Sequence, residues 1–104
     1  MIGTSTLLEP SGSAAAAGVF TQNQVCAAPV TVSKNHLVKS GGVCRAIVAN
    51  AGNANCATPT MTKVAKATVR AVARLLKSPV NQVQVASTGV IGEPLDEKLI
   101  LDAL

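Results

Sequence analysis

The fold of this chain is decided by two stretches, IVANAGNANC at residues 47–56 and VASTGVIGE at residues 85–93. Each begins with apolar residues that favour a β-strand and continues into small polar residues with glycine, which favour a turn. Glycine also lets another group approach the backbone, since no Cβ stands in the way. We therefore predict strands at 43–49 and 83–86, each followed by a turn that presents peptide groups and small side chains at a functional site.

The sequence between these strands predicts an amphipathic helix from Pro59 to Lys77, with Thr58 as its N-cap. At 100° per residue, apolar side chains gather on one face and basic side chains on the opposite face. The apolar set is Met61, Val64, Ala65, Val69, Val72, Leu75 and Leu76, and the basic set is Lys63, Lys66, Arg70, Arg74 and Lys77. We expect the apolar face to pack and the basic face to be solvated; a membrane surface or an acidic partner is the alternative interpretation.

Three further elements complete the predicted order. Residues 18–22 and 27–33 have the composition of short strands, and Pro29 favours an edge position for the second. Asp96 is suited to cap a last helix at 97–104. Strands that alternate with helices are typical of a layered α/β fold, which is the class we predict; the pattern leaves parallel and antiparallel pairing open.

Length and composition predict one small folded domain that is part of something larger. The chain has 104 residues, of which 48% are hydrophobic and 13% charged, so disorder is not expected. Phe20 is the one aromatic residue, so the core consists of light side chains and we expect further polypeptide to complete it. Residues 1–17, rich in Ser, Thr, Gly and Ala, are either a poorly defined leader or part of a strand pair; we assign the domain to residues 18–104.

Charge and cysteine content argue against several classes of function. A net charge of +4 with one Phe and no Tyr or Trp gives little basis for nucleic-acid binding. Cys26, Cys44 and Cys56 are odd in number and widely spaced, which predicts reduced thiols of a cytosolic protein rather than a disulfide framework or a metal site. No apolar run approaches the roughly 18 residues that span a bilayer, and residues 1–17 lack the pattern of a secretory signal.

The Ser-Thr-Gly sequence at 87–89 contains groups that could take part in chemistry. A strand that ends in small residues can direct a hydroxyl and successive N–H groups at one point, as in an oxyanion hole. By itself, this sequence is also a common structural turn. His36, the only histidine, lies in a polar stretch, and we expect an exposed side chain rather than a general base.

Several motifs, in the same order, resemble the ornithine acetyltransferase family, also called ArgJ, in the first part of its α chain. These motifs are GVFTQN at 18–23, AAPV at 27–30, the loop VANAGNAN at 48–55 and STGVIG at 87–92. The resemblance is nearly continuous from residue 18 to residue 104. The chain departs from the family pattern at Ala49 and at 57–63, where the family has a Gly-rich and acidic start to the helix.

The resemblance implies a layered α/β sandwich of the self-cleaving type, of which this chain is an amino-terminal portion. It implies transfer of an acetyl group from N-acetylornithine to glutamate, without a bound cofactor and, in some members, with acetyl-CoA as an alternative donor. Thr88 and Gly89 match the family residues that stabilise the oxyanion. The residues that match the family's site loop are Asn50, Gly52, Asn53 and Asn55.

In this family the precursor cuts itself at an Ala-Thr bond, and the freed amino-terminal Thr of the β chain attacks the acetyl carbonyl. The family's nucleophile lies beyond the position of Leu104, so we expect a β-chain partner in an α/β hetero-oligomer and no activity from this chain alone. The bonds Ala57-Thr58 and Ala67-Thr68 lie at the cap and inside the predicted helix, so internal cleavage is not expected.

Two hypotheses of function follow from the sequence. The first is the acetyltransferase fragment, which would work in the cytoplasm of a bacterium or in an organelle of a eukaryote. The second is a non-catalytic binding or assembly module that keeps the fold and acts through the basic helix face. Neither hypothesis involves nucleic acid or a membrane.

Overall fold

The structure, a computed structural model, describes residues 6–8 and 12–104, and residues 6–8 by their backbone alone. Strands and helices alternate in the second half of the chain, which confirms the predicted α/β class. The elements are β1 (Thr6–Leu8), β2 (Ala14–Ala15), α1 (Ala28–Lys39), β3 (Val43–Cys44), β4 (Ala46–Asn53), α2 (Met61–Leu76), a 3-10 turn (Val80–Gln82), β5 (Val83–Val90) and α3 (Glu97–Ala103).

Among the described residues, the main sheet has three strands in the order β1, β4, β5. Its central strand, β4, runs antiparallel to β1 and parallel to β5, and α2 connects the two parallel strands. A separate antiparallel pair is formed by β2 and β3. The pairing direction that the sequence left open is therefore mixed. Both β1 and β2 fall within residues 1–17, so these parts of the segment belong to strands, while residues 1–5 and 9–11 lie outside the described residues.

The core lies between the main sheet and the two long helices. Alternation along β4 directs Ala46 and Val48 into this core and leaves Ile47 39% exposed on the other face. A smaller cluster fixes α3 against the first turns of α2. The main core consists of Ala28, Val32, Ala46, Val48, Ala65, Val69, Val72, Ala73, Val83 and Val85, and the smaller cluster of Val64, Leu95 and Ile100.

The predicted amphipathic helix is confirmed as α2, but its start and the burial of one apolar residue differ from the prediction. It begins at Met61 with Thr60 as the N-cap, so the predicted cap at Thr58 and start at Pro59 are wrong. Thr58 is buried in the turn that precedes the helix, and its carbonyl accepts a hydrogen bond from the N–H of Met61. Leu75 was expected to pack but is 60% exposed. The basic residues are all exposed, as expected: Lys63, Lys66, Arg70, Arg74 and Lys77.

This difference in burial along α2 predicts unequal costs of two substitutions on one helix. Val72 has no exposed surface, so Val72→Ala should lower the free energy of unfolding by about 2 kcal/mol, through lost burial and the cavity left behind. Leu75→Ala should change it by about 0.5 kcal/mol or less. Denaturant titration of both variants measures the comparison, and equal losses would contradict the packing described here.

The first helix replaces a predicted strand. Residues 27–33 contain β-branched side chains and were expected to be extended, yet α1 begins at Ala28. Pro29 lies in the first turn, where its missing N–H has no helical partner to lose. Residues 18–22 are also not a strand. Directly after them, Asn23 N–H donates to Thr21 Oγ1 and Val25 N–H donates to Asn23 Oδ1, which forms local turns.

Side chains of α1 cover part of the outer edge of β5. The Ser33 hydroxyl donates to the carbonyl of Val85 at 2.7 Å and accepts from the N–H of the same residue at 2.9 Å. His36 Nδ1 lies 2.8 Å from the carbonyl oxygen of Val83, so this nitrogen carries a proton. His36 is half-buried and binds the sheet edge, so the expectation of an exposed side chain is wrong.

The remaining elements agree with the sequence more closely. Asp96 Oδ1 accepts a hydrogen bond from Lys98 N–H at 3.0 Å, which confirms the predicted cap of α3. Cys26, Cys44 and Cys56 are free, and burial raises the pKa of the Cys44 thiol. Within the described part of the chain, no helix is long and apolar enough to cross a membrane.

Candidate functional site

The two glycine-containing stretches come together as adjacent strands. We predicted turns after Ala49 and Ala86, but β4 continues to Asn53 and β5 continues to Val90. Parallel pairing persists to the end of both strands, so the residues predicted to form turns are paired as strand residues instead. The paired positions are Asn50 with Ser87, Ala51 with Thr88, and Gly52 with Gly89. The sequence-predicted site residues therefore lie side by side at the carboxyl ends of two parallel strands.

Two glycines make this pairing possible. Gly52 has a φ of 98° and Gly89 a φ of 130°, both in the region that side chains disfavour. A Cβ on Gly89 would lie 2.4 Å from the carbonyl carbon of Gly52 and 2.7 Å from the nitrogen of Asn53. Such distances are far shorter than van der Waals contact. The backbones of β4 and β5 thus meet at a point where no side chain fits.

Thr88 and Gly89 are both exposed at this strand end. Within the described residues, the Thr88 hydroxyl has no hydrogen-bond partner. Val85 directs its peptide groups away from β4, to Ser33, whereas the carbonyl of Val90 accepts from Ala54 N–H on the β4 side. Alternation along the strand therefore places the peptide group of Gly89 on the outer edge. A hydroxyl and an N–H group are available next to each other.

The site-loop asparagines lie behind this edge. Asn50, Asn53 and Asn55 are 4%, 6% and 1% exposed, respectively. Asn50 accepts from the Ser87 hydroxyl at 2.6 Å and donates to the carbonyl of Asn53 at 3.1 Å. Asn53 in turn donates to the carbonyl of Glu93 at 2.9 Å. The structure brings the predicted asparagines to the site, with their amide groups hydrogen-bonded inside the protein.

Asn55 fixes the turn between β4 and α2. It has a φ of 51°, its N–H donates to Asn53 Oδ1 at 2.7 Å, and its side chain donates to the carbonyl of Met61 at 2.8 Å. Asparagine tolerates this left-handed backbone better than most residues. Asn55 Oδ1 and Thr58 Oγ1 are buried, and neither has a partner among the described residues.

Sequence reasoning missed the part that Ser87 and Glu93 play. The sequence predicts Ser87 as part of a turn with groups that could take part in chemistry, not as a partner of Asn50, and the carbonyl of Glu93 carries no sequence signal. Only the register of β5 against β4 shows that Ser87 faces Asn50 on the helix side of the sheet, while the side chain of Thr88 lies on the other side. A hydroxyl directly opposite a paired-strand asparagine would have been a usable signal if the parallel register had been known.

An ion pair joins the first turn of α2 to the start of α3. Lys63 and Glu97 approach to 3.7 Å, and because both side chains have access to solvent the pair is of small energetic weight. In the part of the chain that the structure describes, no group of three or more His, Cys, Asp or Glu side chains could hold a metal ion. The hydroxyl of Thr88 and the N–H of Gly89 are neutral hydrogen-bond donors. Donors of this kind are suited to an oxygen that becomes negatively charged during a reaction.

The fold and the site define a mixed α/β protein whose neighbouring parallel strands bring a free hydroxyl and a glycine peptide group to one open edge. The family model described as the ArgJ family matches residues 5–104, and the chain belongs to this family. It is 59% identical over 85 residues to a glutamate N-acetyltransferase of Methanococcus maripaludis, a match that covers 80% of the chain and 21% of the relative. It is 44% identical over 100 residues to the arginine biosynthesis bifunctional protein ArgJ of Neisseria gonorrhoeae, covering 95% of the chain and 24% of the relative.

Solved structures agree with the family assignment. The arginine biosynthesis bifunctional protein ArgJ of Bacillus halodurans superposes with a TM-score of 0.90 at 30% identity, over 98% of this chain and 53% of that one. The ornithine acetyltransferase of Mycobacterium tuberculosis, solved in complex with ornithine, superposes with a TM-score of 0.86 at 38% identity, over 95% and 54%. The chain thus spans about a quarter or less of the curated relatives it matches, and about half of the solved chains.

Proposed function

We propose that this chain supplies the oxyanion-stabilising part of an acetyltransferase that transfers acetyl from N-acetylornithine to glutamate. The observation that carries the proposal is the joint exposure of Thr88 and Gly89 at the end of β5, in a chain of the ArgJ family. Relatives that are named for glutamate N-acetylation and for arginine biosynthesis support the substrates, as does the relative solved with ornithine.

The proposed chemistry is acyl transfer in two steps. The hydroxyl oxygen of an amino-terminal Thr on a separate β chain bonds to the acetyl carbon, its α-amine takes the hydroxyl proton, and the carbonyl oxygen gains the negative charge. Thr88 Oγ1–H and Gly89 N–H donate to that oxygen. The charge returns to the carbonyl, the bond to the ornithine nitrogen breaks, and the proton passes to the departing amine. The neutral amine of glutamate then bonds to the acyl carbon, the bond from that carbon to the Thr oxygen breaks, and the proton lost by the glutamate nitrogen passes through the α-amine to the Thr oxygen, which restores the hydroxyl.

In this mechanism the nucleophile and the oxyanion donors lie on different chains. The nucleophile belongs to a β chain of the same precursor, so the working enzyme is an α/β hetero-oligomer and the present chain has no activity alone. Acetyl-CoA is the alternative acetyl donor: its thioester would acylate the amino-terminal Thr in place of N-acetylornithine, and the second step would then be the same. We place the enzyme in the cytoplasm, or in an organelle if its source is a eukaryote.

The test is to purify the protein from its source under non-denaturing conditions and to examine it by mass spectrometry. We expect a second chain that begins with Thr to copurify, and we expect the complex to transfer acetyl from N-acetylornithine to glutamate. A preparation that contains only the 104-residue species and has no ornithine-dependent transfer would contradict the proposal. That result would favour the alternative, a non-catalytic module that acts through the basic face of α2.

A further inference from the structure

A series of hydrogen bonds holds the segment 88–92 at both of its ends. It starts with the Ser87 hydroxyl, which donates to Asn50 Oδ1 at 2.6 Å, one residue before the segment. It continues from Asn50 Nδ2 to the carbonyl of Asn53 at 3.1 Å. It ends where Asn53 Nδ2 donates to the carbonyl of Glu93 at 2.9 Å, one residue after the segment. Two side chains of β4 therefore bracket the part of β5 that carries the exposed hydroxyl and glycine.

Burial shows which way these side chains act. Asn50 and Asn53 are 4% and 6% exposed, and their hydrogen bonds are to Ser87 and to backbone. Ser87 and Asn50 lie on the helix side of the sheet, whereas Thr88 points to the opposite side. The bracket is thus behind the open edge, where it can fix the backbone of the site but is not in a position to meet a bound substrate.

We propose that Ser87, Asn50 and Asn53 are positioning residues, and that they act through the oxyanion role proposed above for Thr88 and Gly89. An oxyanion donor must lie within a few tenths of an ångström of the position the oxygen takes in the transition state. Loss of the Ser87 hydroxyl leaves the buried Asn50 Oδ1 without its donor, which is energetically costly, and removes the restraint that holds β5 at residue 87. Thr88 and Gly89 directly follow that residue, so their positions become less well fixed.

The test uses the assembled enzyme, with two matched serine variants on the same strand. Ser87→Ala removes the hydroxyl that binds Asn50, and Ser33→Ala removes the hydroxyl that binds the peptide group of Val85. Both delete one hydroxyl that holds β5, but only the first is adjacent to the site. We expect Ser87→Ala to lower kcat by about 10-fold or more with KM for the acetyl donor within about 2-fold, and Ser33→Ala to leave both constants near those of the parent.

A second pair of variants separates positioning from simple loss of packing. Ser87→Thr keeps the hydroxyl and should restore most of the kcat that Ser87→Ala loses. If Ser87→Ala does not accumulate as folded protein, Ser87→Cys replaces it, because a thiol of similar size is a weak donor, and kcat should again fall. Hydrogen exchange of the peptide that covers 83–93 should increase at 88–92 in Ser87→Ala and near 85 in Ser33→Ala.

The outcomes distinguish this inference from the proposed function. If Thr88→Ala lowers kcat but Ser87→Ala does not, the positioning role is wrong and the oxyanion role stands. If both serine variants lower kcat in parallel with their thermal stability, the effect is global and the positioning role is again wrong. If Thr88→Ala has no effect on kcat, the oxyanion role fails and the positioning role fails with it.

Discussion

Gly89→Ala should lower the free energy of unfolding by about 4 kcal/mol or more, or prevent accumulation of folded protein. The added Cβ would lie 2.4 Å from the carbonyl carbon of Gly52 and 2.7 Å from its oxygen, both of which are backbone atoms of the paired strand. A side chain could rotate away from such a clash, but a strand held by parallel pairing cannot. The φ of 130° adds strain for any residue other than glycine.

Gly92→Ala is the matched control for this prediction. Gly92 follows the same strand, also has a positive φ of 87°, and a Cβ there would meet no atom within 4 Å. Its substitution should therefore cost only the backbone strain, about 1 kcal/mol. Denaturant titration of the two variants compares their free energies of unfolding, and the difference between them measures the cost of the steric clash beyond that of backbone strain. Equal losses at the two positions would show that the contact between Gly52 and Gly89 is not the source of the effect.

Thr88→Ala in the assembled enzyme should lower kcat by about 100-fold or more and leave the free energy of unfolding within about 0.5 kcal/mol. The side chain is exposed, and its hydroxyl has no partner among the described residues, so the fold loses little when it is removed. The transition state, in contrast, loses one of the two donors proposed for the acetyl oxygen. KM for the acetyl donor should change little, since the missing bond forms mainly when that oxygen is charged.

Thr62→Ala provides the comparison for Thr88→Ala. Thr62 is an exposed threonine on α2, so its loss removes the same atoms from a surface without a proposed role. Steady-state rates with N-acetylornithine and glutamate, together with thermal unfolding, measure both variants. A rate for Thr88→Ala equal to that of Thr62→Ala would exclude the oxyanion role.

The sequence predicted the elements around the candidate site better than the conformation of the candidate site itself. The two glycine-containing stretches, the helix between them and the α/β class could all be read from local pattern. The continuation of both strands through residues 50–53 and 87–90 could not be predicted, because Asn, Gly and Ser favour turns when they are considered alone. Parallel pairing of β4 with β5 as far as Asn53 and Val90 stabilises these residues as strands, and this pairing depends on a register that no local stretch encodes.

The helix at Ala28–Lys39 is a second case in which local sequence gave the wrong secondary structure. Val30, Thr31 and Val32 favour a strand by propensity, and Pro29 is compatible both with a strand edge and with a first helical turn. Contacts made at a distance along the chain decide between them. Val32 packs in the core and Ser33 binds β5, which are interactions that a helix at this place can make and that the local sequence cannot reveal.

The side chains of α1 that cover the outer edge of β5 limit where a further strand can pair with this edge of the sheet. Ser33 binds the outward N–H and carbonyl of Val85, His36 binds the carbonyl of Val83, and the Val83 N–H donates to Val80, so the groups that an added strand would pair with along the first half of this edge are already hydrogen-bonded. The remaining half starts at Ser87. A polypeptide that adds to the sheet next to β5 must therefore align with that half alone, which carries its backbone directly past Thr88 and Gly89. Helix α1 thus confines strand addition at the β5 edge to the half that begins at Ser87.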